Sequence, residues 1–161
     1  MSTFGKNLSE AVFKIRGKTG TAVKLKIQRK DLEPKEYSIM RGKIVAPSVE
    51  YKDLGDDIGY IKINRFGETT TKDFTTEVIK MTTQMKRLKG VVIDVRGNPG
   101  GYLDAANYIS SEFIEDGPVV FQEMADGAVK SFEVSRTGLL TKIPVAVLID
   151  KGSASASEIV A

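Results

Sequence analysis

The chain has 161 residues, of which 41% are hydrophobic, enough for one ordinary domain or for a small domain with part of another. Its formal net charge of +3 excludes the strongly basic composition that is typical of nucleic-acid-binding proteins. The chain has no cysteine and no histidine, which excludes a thiol nucleophile, a disulfide, a thiolate or histidine metal site, and a Ser-His-Asp triad made from this chain alone. Any nucleophilic chemistry here requires a different base.

The first 46 residues predict one short helix and two strands. Apolar residues recur at helical spacing over residues 8–15, which predicts an amphipathic helix. Residues 21–29 alternate apolar and polar side chains and predict a strand, which a turn at 31–34 separates from a weaker strand at 36–40. These elements are too few to form a core.

Beyond Pro47 the predicted elements alternate between strands and helices. The predicted strands are residues 58–63, 91–95 and 144–150, the predicted helices are 72–88, 103–113 and from 153 onward, and a hairpin joins 118–121 to 128–134. The run 91–95 is almost continuously apolar, as in strands that are buried on both faces of a parallel sheet, and residues 144–150 are predicted to form a second buried strand. This order predicts an α/β fold with a buried, largely parallel sheet.

The two apolar strands lead into loops whose residues could carry chemistry. One loop contains Asn-Pro-Gly-Gly at residues 98–101, and the other contains Ser-Ala-Ser-Ala-Ser-Glu at 153–158. Sites in open α/β sheets form beyond the carboxyl ends of the strands. Gly100 and Gly101 have no Cβ, so a substrate carbonyl could approach their amides while a serine at the start of the next helix attacks it.

More ordinary interpretations of the same residues stay open at this point. Ser155 and Glu158 have the spacing of a capping box, in which the serine side chain would bind the Glu158 amide. Asn-Pro-Gly-Gly is common in plain tight turns. Asp94 and Asp150, at the strand ends, could be functional carboxylates, or they could cap the turns and pair with the basic residues beside them.

Taken together, the two loops resemble those of the C-terminal processing peptidases, the tail-specific proteases of bacteria and plastids. The resemblance rests on Gly-Val-Val-Ile-Asp-Val-Arg-Gly-Asn-Pro-Gly-Gly at 90–101 and Gly-Ser-Ala-Ser-Ala-Ser-Glu-Ile at 152–159. Residues 57–63 resemble the opening strand of that protease core, and residues 8–17 and 21–29 resemble the end of the family's PDZ domain. The resemblance implies a PDZ remnant at 1–46 and, at 47–161, the first portion of a serine peptidase core of the crotonase and Clp-protease type.

The resemblance also implies a serine–lysine dyad. Ser155, the middle serine of its run, falls on the family's nucleophile, and the amides of Ala156 and Gly101, with Gly100 beside them, fall on the oxyanion hole. The family's lysine lies well beyond the serine, in a Gly-Lys-Gly-like turn, whereas only six residues follow Ser155 here. We therefore expect the chain to be a fragment that is inactive by itself, and we do not expect Lys151 to replace the base.

Substrates, partners and location follow from the same resemblance. It implies protein or peptide substrates with apolar C-termini, no cofactor, no metal and no nucleic acid, and it suggests a periplasmic or other extracytoplasmic, membrane-associated parent protein. Half a PDZ domain would leave apolar faces uncovered, so we also expect a homo-oligomer. Two alternatives remain: an inactive peptide-binding or scaffolding module, and an acyl-binding enzyme of the crotonase type, which would not need Ser155.

Overall fold

The computed structural model describes residue 5 and residues 7–43 and 47–161, and the chain divides into two units, Met1–Ala46 and Pro47–Ala161. The first unit contains α1 (Leu8–Ile15) and an antiparallel pair of strands, β1 (Ala22–Ile27) and β2 (Lys35–Met40). A capping box at Asn7 and Glu10 starts the helix. None of the residues in this unit whose burial is described is buried.

The second unit contains a four-stranded sheet with helices. Its elements, in chain order, are β3 (Val49–Asp53), β4 (Ile58–Ile63), α2 (Thr70–Gln84), β5 (Gly90–Asp94), α3 (Leu103–Ser110), β6 (Pro118–Glu123), β7 (Val129–Glu133), β8 (Val145–Leu148) and α4 (Ala156–Val160). The sheet has the order β3-β4-β5-β8, and β6 and β7 form the expected separate hairpin. Strands β4, β5 and β8 are parallel, whereas β3 is antiparallel to β4. The α/β prediction is therefore correct at the level of a mixed sheet.

Strand β3 was not predicted from the sequence. Its Val-Glu-Tyr-Lys-Asp sequence has only one fully buried residue, Val49, and the strand lies at the sheet edge, where one neighbour is enough. A short strand with mostly polar residues has no periodic signal that separates it from a loop. The helix predicted at 72–88 begins earlier and ends earlier in the structure. At its start, the Thr70 hydroxyl donates to the Arg65 carbonyl oxygen and accepts from the Gly67 amide. At its end, Met85 is already the C-cap.

The core lies between the sheet and the helices. Ile61 pairs with Ile93 in register, Ile93 pairs with Val147 in turn, and the first two are fully buried. Helix α2 adds Phe74 and Met81, also fully buried, to the core. These aligned strands place the loops after β5 and β8 at the same edge of the sheet.

The prediction that residues 144–150 form a buried strand was wrong. β8 covers only Val145–Leu148, and both end residues of this strand are more than a third exposed. The reason is that β8 pairs with β5 alone within the described residues and so forms an edge of the sheet. No helix in the described part of the chain is long and apolar enough to cross a membrane.

Candidate active site

One carboxylate holds the turn after β8 against the loop after β5. Asp150 Oδ1 accepts hydrogen bonds from the amides of Gly97 and Gly152, both at 2.8 Å. These amide donors, with Gly97 contributing most, favour the charged carboxylate and lower the pKa of Asp150. Of the roles that the sequence left open, Asp150 thus caps a turn, and in doing so it joins two loops that are 53 residues apart.

Ser155 lies in a strained turn at the entrance of α4. Its φ of 55° and ψ of −119° fall where non-glycine residues are rare, at a strain of about 1–3 kcal/mol. The residue is exposed, and its hydroxyl makes no capping hydrogen bond of normal geometry. In hydrolases with a nucleophile elbow, a serine on a strained strand-to-helix turn is the attacking group. The backbone therefore supports Ser155 as a candidate independently of any motif.

The two other serines of the run are fixed by hydrogen bonds. Ser153 Oγ donates to the Val95 carbonyl oxygen and Ser157 Oγ donates to the Asn98 carbonyl oxygen, each at 2.8 Å. The hydroxyl of Ser155, by contrast, donates to no group in the described residues. The middle serine is consequently the one whose hydroxyl is available for chemistry.

The capping-box alternative is present in the structure in a modified form. Ser155 and Glu158 have the reciprocal capping-box arrangement, and the Ser155 amide donates to the Glu158 carboxylate at 2.5 Å. The Glu158 amide donates to the Ser155 carbonyl oxygen at 2.8 Å, so its main acceptor is the backbone of Ser155. The helix is thus capped chiefly by Glu158, and in this cap the Ser155 hydroxyl can only accept, so its proton stays available.

The Asn-Pro-Gly-Gly loop packs directly against the Ser155 turn. A Cβ placed on Gly100 would lie 2.8 Å from the Cβ of Ser155 and 2.9 Å from the nitrogen of Ala156. Gly100 also has a φ of 96°, which L side chains rarely adopt. Any side chain here would push the two loops apart, so glycine is what allows their close contact.

The peptide between Gly100 and Gly101 has a defined orientation. The Phe66 amide donates to its carbonyl oxygen at 3.2 Å, and Phe66 and Gly101 form a short parallel bridge. The C=O and N–H of a trans peptide point in opposite directions, so this bond directs the Gly101 N–H away from Phe66. A Cβ on Gly101 would lie only 2.0 Å from the Phe66 carbonyl oxygen, so this bridge also requires glycine.

Two backbone amides at these loops lack an acceptor. The amides of Gly101 and Ala156 donate no hydrogen bond to any residue that the structure describes, whereas the Gly100 amide donates to Asn98 Oδ1 at 2.9 Å. Unpaired amides close to a nucleophile can stabilise the charge that develops on a carbonyl oxygen under attack. Of the three candidate oxyanion-hole residues, Gly101 and Ala156 thus have an available amide and Gly100 does not.

Sequence reasoning missed the part played by Asn98, which it treated as one residue of a tight turn. Asn98 is fully buried, and its Nδ2 donates to the Ile63 carbonyl oxygen at 2.8 Å. Its Oδ1 accepts from the amide two residues further on, a bond that asparagine side chains commonly make in turns. That local preference was the one available signal; the bond to Ile63, 35 residues away, had none.

An ion pair between a buried carboxylate and a half-exposed arginine precedes the loop. The fully buried Asp94 accepts hydrogen bonds from the Arg96 guanidinium and, at 2.6 Å, from the Tyr60 hydroxyl. The Arg96 bonds, with a smaller contribution from Tyr60, hold the pKa of Asp94 well below its usual range. Burial and then Asp94 itself raise the pKa of Tyr60. Asp94 therefore stays charged and pairs with Arg96, one of the roles that the sequence left open.

The described residues contain no obvious base for Ser155. Lys151, the nearest lysine in sequence, is exposed on the preceding turn and forms no ion pair with a described residue. In this same part of the chain, no three or more acidic side chains group in a way that could hold a metal ion. The site thus brings together one serine hydroxyl and two available backbone amides.

Comparison with known proteins gives a consistent family. The model of peptidase family S41 matches residues 57–161. The carboxy-terminal processing protease CtpB of Bacillus subtilis (strain 168) is 41% identical over 165 residues, covering 99% of this chain and 34% of its own length. The carboxy-terminal-processing protease of Bartonella bacilliformis is 38% identical over 161 residues, covering 98% of this chain and 37% of its own length. The chain thus spans little more than a third of these relatives.

Among solved structures, a photosystem II D1 C-terminal processing protease is similar to this chain with a TM-score of 0.66. The match covers 97% of this chain and 44% of that protein, at 20% sequence identity. At this identity the similarity concerns the fold alone, and it agrees with the mixed α/β architecture of the second unit.

Proposed function

Because the chain belongs to peptidase family S41, we propose that it carries the nucleophile of a serine endopeptidase that processes the C-terminal ends of proteins. The observation that carries the proposal is the contrast among the three serines of residues 153–157. The outer two donate their hydroxyls to backbone carbonyls, while Ser155 has a strained backbone and an available hydroxyl. Strain of this kind persists only where the surrounding structure enforces it, which supports a functional role.

In the proposed reaction Ser155 Oγ attacks the carbonyl carbon of the scissile peptide. The base takes the hydroxyl proton, and the carbonyl oxygen becomes an oxyanion that the amides of Gly101 and Ala156 stabilise. The tetrahedral intermediate then breaks its C–N bond, the leaving amine receives the proton, and an acyl-serine remains for hydrolysis by water. Gly100 contributes close packing, because its own amide already binds Asn98.

We place the base beyond Ala161, on a lysine of the parent protein. A lysine that is desolvated by burial has a lowered pKa and can accept the serine proton near neutral pH. The exposed Lys151 lacks that environment. The 161-residue chain by itself is therefore expected to cleave nothing.

The first unit is proposed to be the end of a PDZ domain that recruits an apolar substrate C-terminus by strand addition. Its β1–β2 hairpin has an alternating burial pattern along β1, which suits a sheet with one covered face.

Phe13 and Met40 are exposed, and this supports the expectation of self-association, which light scattering would test. For the parent protein we propose an extracytoplasmic location.

One observation favours the alternative of an inactive binding module. The capping arrangement of Ser155 and Glu158 gives this serine a structural use without catalysis. In that case neither an attacking hydroxyl nor a downstream lysine would be needed.

The test uses the longest natural protein that carries this chain, with Ser155→Ala compared with the exposed Ser131→Ala. We expect Ser155→Ala to abolish cleavage of a peptide with an apolar C-terminus, and a serine-directed phosphonate to label Ser155 in the unaltered protein. Ser131→Ala should retain both activities, because Ser131 lies on the exposed hairpin strand β7. A protein that neither cleaves nor reacts would favour the binding module. Cleavage that survives in Ser155→Ala would show that Ser155 is not the nucleophile.

A further inference from the structure

We propose that Asn98 is a positioning residue that sets both halves of the catalytic apparatus, namely the amide that receives the oxyanion and the turn that carries the nucleophile. The proposal rests on the function proposed above and adds a residue to it. Asn98 itself would touch neither the substrate nor the attacking hydroxyl.

The side chain of Asn98 fixes the glycine loop to the sheet. Its Nδ2 donates to the Ile63 carbonyl oxygen at 2.8 Å, at the end of β4, and its Oδ1 accepts from the Gly100 amide at 2.9 Å. The side chain is fully buried, so both bonds lie out of competition with solvent. The loop is thereby connected to the strand that also leads to Phe66.

The effect on the oxyanion amide follows from the order of the peptides. Because Asn98 binds the Gly100 N–H, that amide is unavailable to a substrate. The next peptide has its carbonyl oxygen bound by the Phe66 amide, so its N–H, that of Gly101, points the opposite way and donates to no described residue. Asn98 and Phe66 thus select which of the two glycine amides is presented.

The main chain of Asn98 positions the nucleophile turn. Its carbonyl oxygen accepts from the Ala154 amide at 3.2 Å and from Ser157 Oγ at 2.8 Å, one donor on each side of Ser155. Ser157 is fully buried, so its hydroxyl has no solvent alternative. A rotation of the loop at Asn98 would therefore move the oxyanion amide and the Ser155 turn together.

The test is a set of variants in the longest natural protein: Asn98→Ala, Ser157→Ala, and Asn107→Ala as a matched control. Asn107 also donates its side-chain amide to a backbone carbonyl, that of Glu133, but it lies on α3. We expect Asn98→Ala to lower kcat about 100-fold, the scale of losing an oxyanion-hole donor, with KM changed by less than about threefold. Ser157→Ala should lower kcat about tenfold, and Asn107→Ala should leave both constants unchanged.

A second measurement separates positioning from general stability. A peptide boronic acid forms a tetrahedral adduct with the serine, whereas the product peptide does not, so the ratio of their affinities reports on the oxyanion site. We expect Asn98→Ala to lower this ratio in parallel with kcat, and Asn107→Ala to leave it unaltered even if its melting temperature falls. An unaltered ratio with normal kcat in Asn98→Ala would overturn the proposal.

Two other outcomes are decisive. If Asn98→Ala does not fold, Ser157→Ala decides, and a normal kcat in that variant overturns the proposal. If Ser155→Ala still cleaves the peptide, the proposed peptidase function has failed, a result that does not depend on any Asn98 variant.

Discussion

Helix α1 of the first unit and helix α2 of the second are both amphipathic, but their apolar side chains have different surroundings. α2 buries Phe74, Val78 and Met81, whereas Phe13 of α1 is 82% exposed. The second unit has a sheet on which its helix can pack, whereas the described residues of the first unit contain only a hairpin beside the helix. The difference shows that local signals are enough to specify elements, while long-range burial is what makes a stable fold.

The largest difference in stability should come from truncating a core side chain in the second unit and a half-buried side chain in the first. We expect Phe74→Ala to lower the free energy of unfolding by about 3–5 kcal/mol, because it leaves a cavity beside Phe113. Leu25→Ala, at a half-buried strand position, should lower it by less than about 1 kcal/mol. Urea unfolding of both variants measures the contrast, and equal losses would show that the first unit has a core of its own.

The burial of some elements of the second unit could be predicted from the sequence, and that of others could not. The apolar residues of α2 recur at helical spacing and those of β5 form a nearly continuous run, and in both elements most of them are buried. The exposed faces of β8 could not be predicted, because an apolar run indicates burial but does not say which element covers it. For the same reason the polar edge strand β3 was missed.

The next largest difference in stability should come from replacing a glycine by alanine, which adds a methyl group. Gly101→Ala should lower the free energy of unfolding by about 3 kcal/mol, because its Cβ would meet the Phe66 carbonyl and its φ is 144°. Gly20→Ala in the first unit has a φ of 82° but open space around it, so only the backbone strain of about 1 kcal/mol applies. Thermal unfolding of both proteins measures the contrast. If the two changes are equally mild, the Phe66–Gly101 bridge is not rigid.

A smaller effect, and a pH-dependent one, is expected from the buried carboxylate. Asp94→Asn should lower the free energy of unfolding by about 2 kcal/mol near pH 7, because the hydrogen bonds of Arg96 and Tyr60 lose their charged acceptor. The pKa of Asp94 is lowered in the folded protein, so its stabilisation is fully present above about pH 4 and is lost as the pH falls below that.

Urea unfolding at several pH values tests this prediction. The difference between the unaltered protein and Asp94→Asn should shrink on acidification below about pH 4. The exposed Glu10→Gln in the first unit should change stability by less than about 1 kcal/mol and serves as the control. A difference that grows on acidification would contradict the lowered pKa.

The smallest difference in stability is expected from removing a single hydroxyl group in each unit. Ser157→Ala should lower the free energy of unfolding by about 1 kcal/mol, because it removes a buried hydrogen bond to Asn98. Thr21→Ala removes an exposed bond to the Lys18 carbonyl and should cost less than about 0.5 kcal/mol. Calorimetry of both variants would reveal whether burial makes this difference, and identical small losses would show that it does not.

The candidate site was predictable in part. The serine run and the glycine loop could be identified as candidates from the sequence, because buried strands that end in Gly-rich and Ser-rich turns are where sites form. The sequence could not reveal which serine hydroxyl was available, since the bonds of Ser153 and Ser157 reach residues in another loop. The long-range bond from Asn98 to Ile63 was invisible for the same reason.

The distance along the chain between the two loops also sets the time at which the site is completed. A ribosome adding about 5–20 residues per second makes the Gly100 loop roughly 3–11 seconds before it makes Ser155. Throughout that interval the loop lacks the contacts from Ala154 and Ser157 that the finished protein has. A nascent chain can therefore pair β4 with β5 before the turn that carries Ser155 reaches the Gly100 loop.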